Sequence, residues 1–464
     1  MDNTSLKRSL KLRHVVMLGL GYLTPMVVFD TFGIASGETG GHVPLAYIIA
    51  LAAMLFTAFS YGKMVRAFPS AGSAYTYAQK SIHPHVGFLV GWAAMLDYLF
   101  LPMVNILLMQ IYFTAIFPTV PPWVWVVLFV LFVTGVNMKS VKSAANLNTI
   151  FVVYQFVVVA AFIGLAVWVI KDMPQVGSIS WTQPFFGEGM QMSALMAGAT
   201  VLCFSFLGFD AVTTYSEETD DPQRTIPRAI FLTALYGGGL FIVASYFVQL
   251  IFPTVEMFKN PDATAPEISL FAGGRAFELF FLGASFLGAL ASGIASHASV
   301  SRLLYVMGRD KVLPKRFFGY VHPEWRTPLF NVVFTGIISL GAVFFTLEAA
   351  ASFINFGALI AFTFVNLSVI AHYGVHKKQY KTAADIFSNI VVPLIGAAFV
   401  AVLWYNLDGN SFMLGLVWVA FGFFYLMYLT RMFKEKPVEI RFEESDAVEG
   451  PEKEGEEDRT SVHA

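Results

Sequence analysis

The chain is built as a succession of apolar runs of roughly 18–25 residues, interrupted by short polar stretches. At about 1.5 Å of rise per residue, each run is long enough to cross a hydrocarbon core of about 30 Å as a helix. Inside that core every backbone N–H and C=O must be satisfied within the chain, so runs of this kind can only form helices. Composition agrees: 56% of the residues are hydrophobic and 13% charged, against about 25% charged in a soluble domain. A water-soluble enzyme, a nucleic-acid binder and a secreted disulfide scaffold are thereby excluded. The net charge of −2 implies no polyanionic partner. The single cysteine, Cys203, cannot form an intrachain disulfide. The chain reads as a polytopic, all-α membrane protein whose first partner is the lipid bilayer.

Hydropathy divides it into twelve spans, at about 14–35, 43–65, 86–116, 122–138, 147–170, 194–216, 228–252, 276–305, 328–347, 351–373, 388–406 and 411–432. The first span follows Lys7, Arg8, Lys11 and Arg13 without a small-residue cleavage site and is expected to be retained. Placing both termini in the cytoplasm puts 26 of the 29 Lys and Arg residues on the inner side, leaving Lys171, Lys259 and Arg275 outside. A wrong span count would scramble that asymmetry. The expected organisation is a cytoplasmic tail over 1–13, a membrane-spanning domain over 14–433, and an acidic tail over 434–464. The tail's composition cannot bury a core; it reads as solvated, with a regulatory role as the alternative.

Transporters often build their site from discontinuous helices at matching positions of two inverted repeats. Span 1 reads GLGYLTPMVVFDTFG from Gly19 to Gly33, and Pro25 removes a backbone donor at mid-membrane, so the helix should bend or unwind there. Span 6 reads CFSFLGFDAVTTYSEE from Cys203 to Glu218, with Gly208 and Asp210 at mid-depth. Either interruption alone would read as an ordinary kink. Two of them five spans apart point to an inverted-repeat transporter.

Three carboxylates fall within predicted spans, Asp30, Asp97 and Asp210, while no lysine or arginine lies deep in any of them. Intramembrane acids are costly and are functional candidates by default. Uncompensated in a cavity, they favour a cation: a metal ion, a proton or an organic ammonium. Asp97 is the strongest ligand candidate, with Tyr98 beside it. Asp210 is expected either to satisfy backbone donors freed near Gly208 or to couple gating or protonation to occupancy. Asp30 lies beyond the break and suits an outer gate. Aromatic residues such as Tyr22, Tyr98 and Phe204 suit the wall of a cavity for an alkyl ammonium. His297, among small residues of span 8, has two readings: a proton carrier, or a histidine hydrogen-bonded to a neighbouring helix.

At these motifs the sequence resembles the amino acid–polyamine–organocation superfamily of secondary transporters, and within it the bacterial putrescine importers. PSAGSAYTYA after span 2, EETDDPQRTIPRAI after span 6 and RLLYVMGRDKVLP after span 8 resemble patterns of the whole superfamily, whereas TPMVVFDTFG and MLDYLFLPM resemble the putrescine importers in particular. The likeness runs from about Arg8 to Phe433. It implies an inverted five-plus-five repeat (about 14–170 and 194–373), two further helices (about 388–432) and alternating access. It also implies a central site between spans 1, 3, 6, 8 and 10, with span 3 facing the distal end of the substrate. The expected substrate-binding residues are Thr24, Asp97, Tyr98, Phe204, Gly208 and Asp210, with Asp30, Asp210 and His297 as gating or coupling residues. No metal or organic cofactor is expected; a proton gradient is the expected driving force, with sodium as the alternative. The resemblance implies a multi-pass protein of the bacterial cytoplasmic membrane that imports putrescine or a related diamine.

Amino-acid-carrying relatives have a Gly-rich break in span 1 whose N–H groups hold a carboxylate. Here the break is Leu23-Thr24-Pro25-Met26, with no glycine and one donor deleted. That is a poor carboxylate cradle and suits a substrate without one. The rivals are a permease for cationic or neutral amino acids and, more remotely, a transporter-like polyamine sensor. No HExxH, GxSxG or paired cysteines support an enzyme.

Overall fold

The computed structural model describes residues 8–432 apart from 140, 173–180, 188–189, 260, 262–263, 346 and 408. The acidic tail and the first seven residues lie outside them. Among the described residues, eleven helices are long and apolar enough to cross a membrane. The remaining expected span, the ninth, is the shorter apolar helix Leu329–Val343, whose last turn tightens to 3-10 geometry at Leu340–Val343. Span 8 lies in the helical run Thr264–Arg309, which Gly274 breaks at φ +69°; beyond that break it matches the expected 276–305 at its outer end and runs a turn further at its inner end, to Arg309. Its inner third, from Ser292 to Gly308, is buried on all sides by neighbouring helices, so polar residues there need no aqueous face.

Helix packing follows the two halves of the chain. Span 2 packs on span 7, span 3 on span 8 and span 4 on span 9. Span 1 packs on span 7 as span 6 packs on span 2, and span 3 meets span 10 as span 8 meets span 5. Exchanging each span for the one five positions away leaves this pattern unchanged, as expected for two inverted five-span units. Spans 11 (Ala383–Tyr405) and 12 (Phe412–Leu429) sit outside that pattern. Span 12 is tied to span 3 by reciprocal indole bonds. Trp92 Nε1 donates to Trp418 O at 3.0 Å and Trp418 Nε1 to Trp92 O at 2.7 Å, with the rings stacked. An indole N–H in an apolar setting needs such a partner.

Both interrupted helices are broken where Pro25 and Gly208 stand. Span 1 consists of Leu12–Leu23, Val27–Asp30 and Phe32–Thr39, with Thr24 at φ +56°. Span 6 runs as an α-helix over Met192–Cys203, turns through Gly208 at φ +106°, and continues as 3-10 helix over Ala211–Glu218. Glycine is required at that position twice over, because a Cβ on Gly208 would also sit 1.8 Å from Tyr22 Cδ1. The two breaks therefore lie against each other at the centre of the bundle.

Candidate site at the helix breaks

The broken segments, with spans 3 and 8, enclose a cavity of about 50 Å³. That is room for about four water-sized groups. Its polar lining comes from Tyr22, Thr24, Asp30, Asn105, Ser285 and Ser292, its apolar wall from residues such as Leu101, Phe204 and Leu207. The polar groups are fixed by the breaks themselves. Ser292 Oγ donates to the Tyr22 carbonyl (2.9 Å), one of the groups that helix interruption leaves without an intrahelical partner. Asn105 Nδ2 donates to Ser292 Oγ at 2.9 Å and to Leu101 O at 2.9 Å. Thr24 Oγ1 lies 3.4 Å from the carbonyls of Gly21 and Gly288 and so joins span 1 to span 8.

A second polar cluster lies behind Tyr22, towards the end of the bundle where Ser9 and Leu10 lie. Asp210 is 1% exposed. Its Oδ2 accepts from Tyr61 Oη at 3.1 Å and from Tyr98 Oη at 3.2 Å. Asp97, also buried, packs against span 10: a Cβ on Gly357 would lie 2.7 Å from Asp97 N. Its Oδ1 finds no hydrogen-bond partner among the described residues. The two carboxylates and the Tyr22 hydroxyl are within electrostatic range of one another. Among the described residues no ion pair reaches either acid; the pairs that form are Arg224–Asp221, Arg275–Glu278, Arg302–Glu218 and those of Arg309. Two buried acids without a counter-cation, one with an unpartnered oxygen, call for a positive guest.

The expected residues thus divide. Thr24, Asp30 and Phe204 line the cavity; Asp97, Tyr98, Gly208 and Asp210 form the cluster behind it. Tyr98 does not turn its hydroxyl to its neighbour Asp97 but to Asp210, since consecutive helical residues point in different directions. His297 stands apart from both groups. Its Nε2 bonds the Val332 carbonyl of span 9 at 2.8 Å.

Sequence reasoning missed Tyr61, Asn105 and Ser292, which no local pattern marks, and one buried cation. Contrary to the expectation that no arginine lies deep in a span, Arg302 is 3% exposed within Thr264–Arg309. It pairs with Glu218 at the end of span 6 and donates to Ala298 O. This belongs to a polar seal closing that end of the bundle. Arg309 grips Glu217 with Nη1 at 2.9 Å and 3.0 Å from its two oxygens, and Tyr75 Oη donates to Asp310 at 3.2 Å. Ser9 and Leu10 N–H groups donate to the Glu218 carbonyl, at 2.9 and 3.0 Å, pinning the N-terminal segment across the seal. The cavity is closed on this side and its lining extends away from it, through Asp30, Val104 and Leu108.

Comparison with known proteins agrees with this architecture. The amino acid permease family model matches residues 14–434. The low-affinity putrescine importer PlaP of Escherichia coli is 54% identical over 435 residues, covering 93% of this chain and 96% of its own. More distant relatives of Bacillus subtilis include a methylthioribose transporter, 27% identical over 90% of this chain and 92% of its own, and the branched-chain amino acid permease BcaP, 26% identical over 91% and 93%. These are permeases, not enzymes. The chain is a multi-pass membrane protein that belongs to the amino acid permease family.

Proposed function

We propose that the protein imports putrescine across the cytoplasmic membrane of a bacterium by alternating access. The observation that carries this is the buried Asp97–Asp210 pair with no cationic partner among the described residues. A linear diamine supplies two ammonium groups and no carboxylate. One ammonium meets Asp97, whose Oδ1 is otherwise unpartnered; the other meets the carbonyls and hydroxyls of the cavity at Thr24 and Asn105. The Tyr22 ring stands between the two places, over Gly208, so occupancy of both requires it to move. The proline-interrupted break offers no nest of N–H groups for a carboxylate, which favours a diamine over an amino acid. Identity to the Escherichia coli putrescine importer over nearly the whole length supports the same substrate.

Both termini are cytoplasmic in this reading, so the cavity lies on the external side and the Arg309–Glu217 seal on the inner side. Proton coupling has a physical basis in the pair of acids. Two neighbouring buried carboxylates repel, and either a proton or an ammonium relieves the repulsion. Asp210, already held by two tyrosines, is the coupling residue and Asp97 the ligand. The test is uptake by the full chain in proteoliposomes, with pH and sodium gradients imposed separately. Saturable putrescine uptake driven by an inward proton gradient, competed better by cadaverine than by ornithine, is expected. Stronger competition by ornithine, or uptake that follows sodium alone, overturns the reading.

A further inference from the structure

Spans 2 and 7 leave a groove between them on the outer surface of the bundle, with a volume of about 420 Å³, lined by Phe59, Gly62, Pro227, Phe231, Leu232 and three cations. Gly62 allows the close approach of the two helices beneath it: its built Cβ lies 3.3 Å from Pro227 Cβ. The apolar walls face outward, Phe59 being 40% and Phe231 44% exposed. Lys63, Arg66 and Arg228 meet at one end of the groove, the last turns of span 2 and the first of span 7. Arg66 and Arg228 are exposed, and among the described residues neither forms an ion pair. Lys63 is anchored by Ser388 and Asn389 of span 11 and by the face of Tyr373 (4.7 Å), all uncharged partners. Asp385 is the acidic group within electrostatic range of Lys63, and it is engaged in capping Thr382. Arg66 and Arg228, at one end of a membrane-facing apolar groove, thus have no anionic partner among the described residues, with Lys63 beside them.

We propose that this groove binds an anionic phospholipid of the inner leaflet, its phosphodiester between Arg66 and Arg228 and an acyl chain along Phe59 and Phe231. The charge complementarity is direct: basic pockets between membrane helices at the cytoplasmic level are built to take lipid phosphate, and two arginines can each present a planar donor fork to it. A zwitterionic lipid offers the same chain but cancels the charge. The site is remote from the transport cavity and shares no lining residue with it. Assignment to the inner leaflet rests on the orientation proposed above, but the binding readout below does not, so the two can fail separately.

The test is native mass spectrometry of the purified full chain, titrated with phosphatidylglycerol or with phosphatidylcholine of the same acyl chains. Selective retention of phosphatidylglycerol is expected, weakened about tenfold or more in the double variant Arg66→Gln/Arg228→Gln and unchanged in Arg316→Gln, which removes an exposed cation elsewhere. Unfolding midpoints of all variants without added lipid keep a folding defect distinct from lost binding. Equal retention of the two lipids, or undiminished retention by the double variant, overturns the proposal. So does displacement by millimolar inorganic phosphate, which marks a site for free anion. If a chain ending at residue 433 binds phosphatidylglycerol severalfold more tightly than the full chain, the acidic tail is the occupant and the lipid assignment fails.

Discussion

Gly208→Ala is the sharpest perturbation the geometry offers. At φ +106° an L-residue is held in sparsely populated backbone space, at a cost of about 1–3 kcal/mol. The new methyl would also stand 1.8 Å from Tyr22 Cδ1, well inside van der Waals contact. Tyr22 is only 4% exposed and its ring can yield only into the small cavity it lines, and overpacking of this kind costs about 1–3 kcal/mol more. The expected loss is about 2–6 kcal/mol, enough to shift or close the break in span 6. Purified Gly208→Ala protein should unfold at a markedly lower denaturant concentration and take up less than a tenth of the putrescine at equal abundance. A double-mutant cycle with Tyr22→Ala separates the causes: the steric share is recovered while the backbone share remains. Wild-type stability and uptake in Gly208→Ala would refute the reasoning, because span 6 would then not need the bend.

Tyr61→Phe and Tyr98→Phe each remove one donor from Asp210 Oδ2, and each should cost about 1.5–3 kcal/mol with a non-additive double variant, read by denaturation and by the pH profile of uptake. Glu217→Gln removes the charge held by Arg309 and should raise labelling of a cysteine introduced at the inner end severalfold; Cys203, the chain's own, is buried. Asp310, also in the seal and facing Arg309, Glu217 and Tyr75, is pushed by burial from 3.8 to about 6, with Arg309 opposing the shift. Its raised pKa means that the sealed state binds a proton more tightly than a state exposing Asp310 to water. Acidification from pH 7.5 to 5 should therefore stabilise the sealed state, by about 1–1.5 kcal/mol, and rising pH should loosen it. Inner-end labelling, normalised at each pH to that of a free thiol peptide, should fall between pH 7.5 and 5 in the wild type and not in Asp310→Asn. A profile that Asp310→Asn leaves unaltered would place the titration elsewhere.

What sequence could and could not reveal has a common cause. Span lengths and the breaks at Pro25 and Gly208 are local properties, written in hydropathy and in two residues with distinctive backbone rules, and they reappear in the structure. Span 8 runs a turn past its expected inner end at 305, where neighbouring helices bury Arg302 and the residues around it. The Arg302–Glu218 pair joins two spans far apart in sequence, so no local pattern marks either residue. Tyr61 carries no mark of its role, since only the fold brings span 2 to Asp210. Tyr98 stands beside Asp97 in sequence, but helical geometry turns it the other way. His297 fits two roles in sequence, and its bond to Val332 is one that hydropathy cannot anticipate.

The central claim is that Asp97 supplies the carboxylate for one ammonium of the substrate. Equilibrium binding of radiolabelled putrescine to purified Asp97→Asn, set beside its unfolding midpoint, tests it most directly. Loss of a buried charge-assisted bond is worth about 1.5–3 kcal/mol, so the predicted Kd is about 10–100-fold weaker in a protein as stable as the wild type. An Asp97→Asn protein that folds normally and binds putrescine with the wild-type Kd would contradict the account.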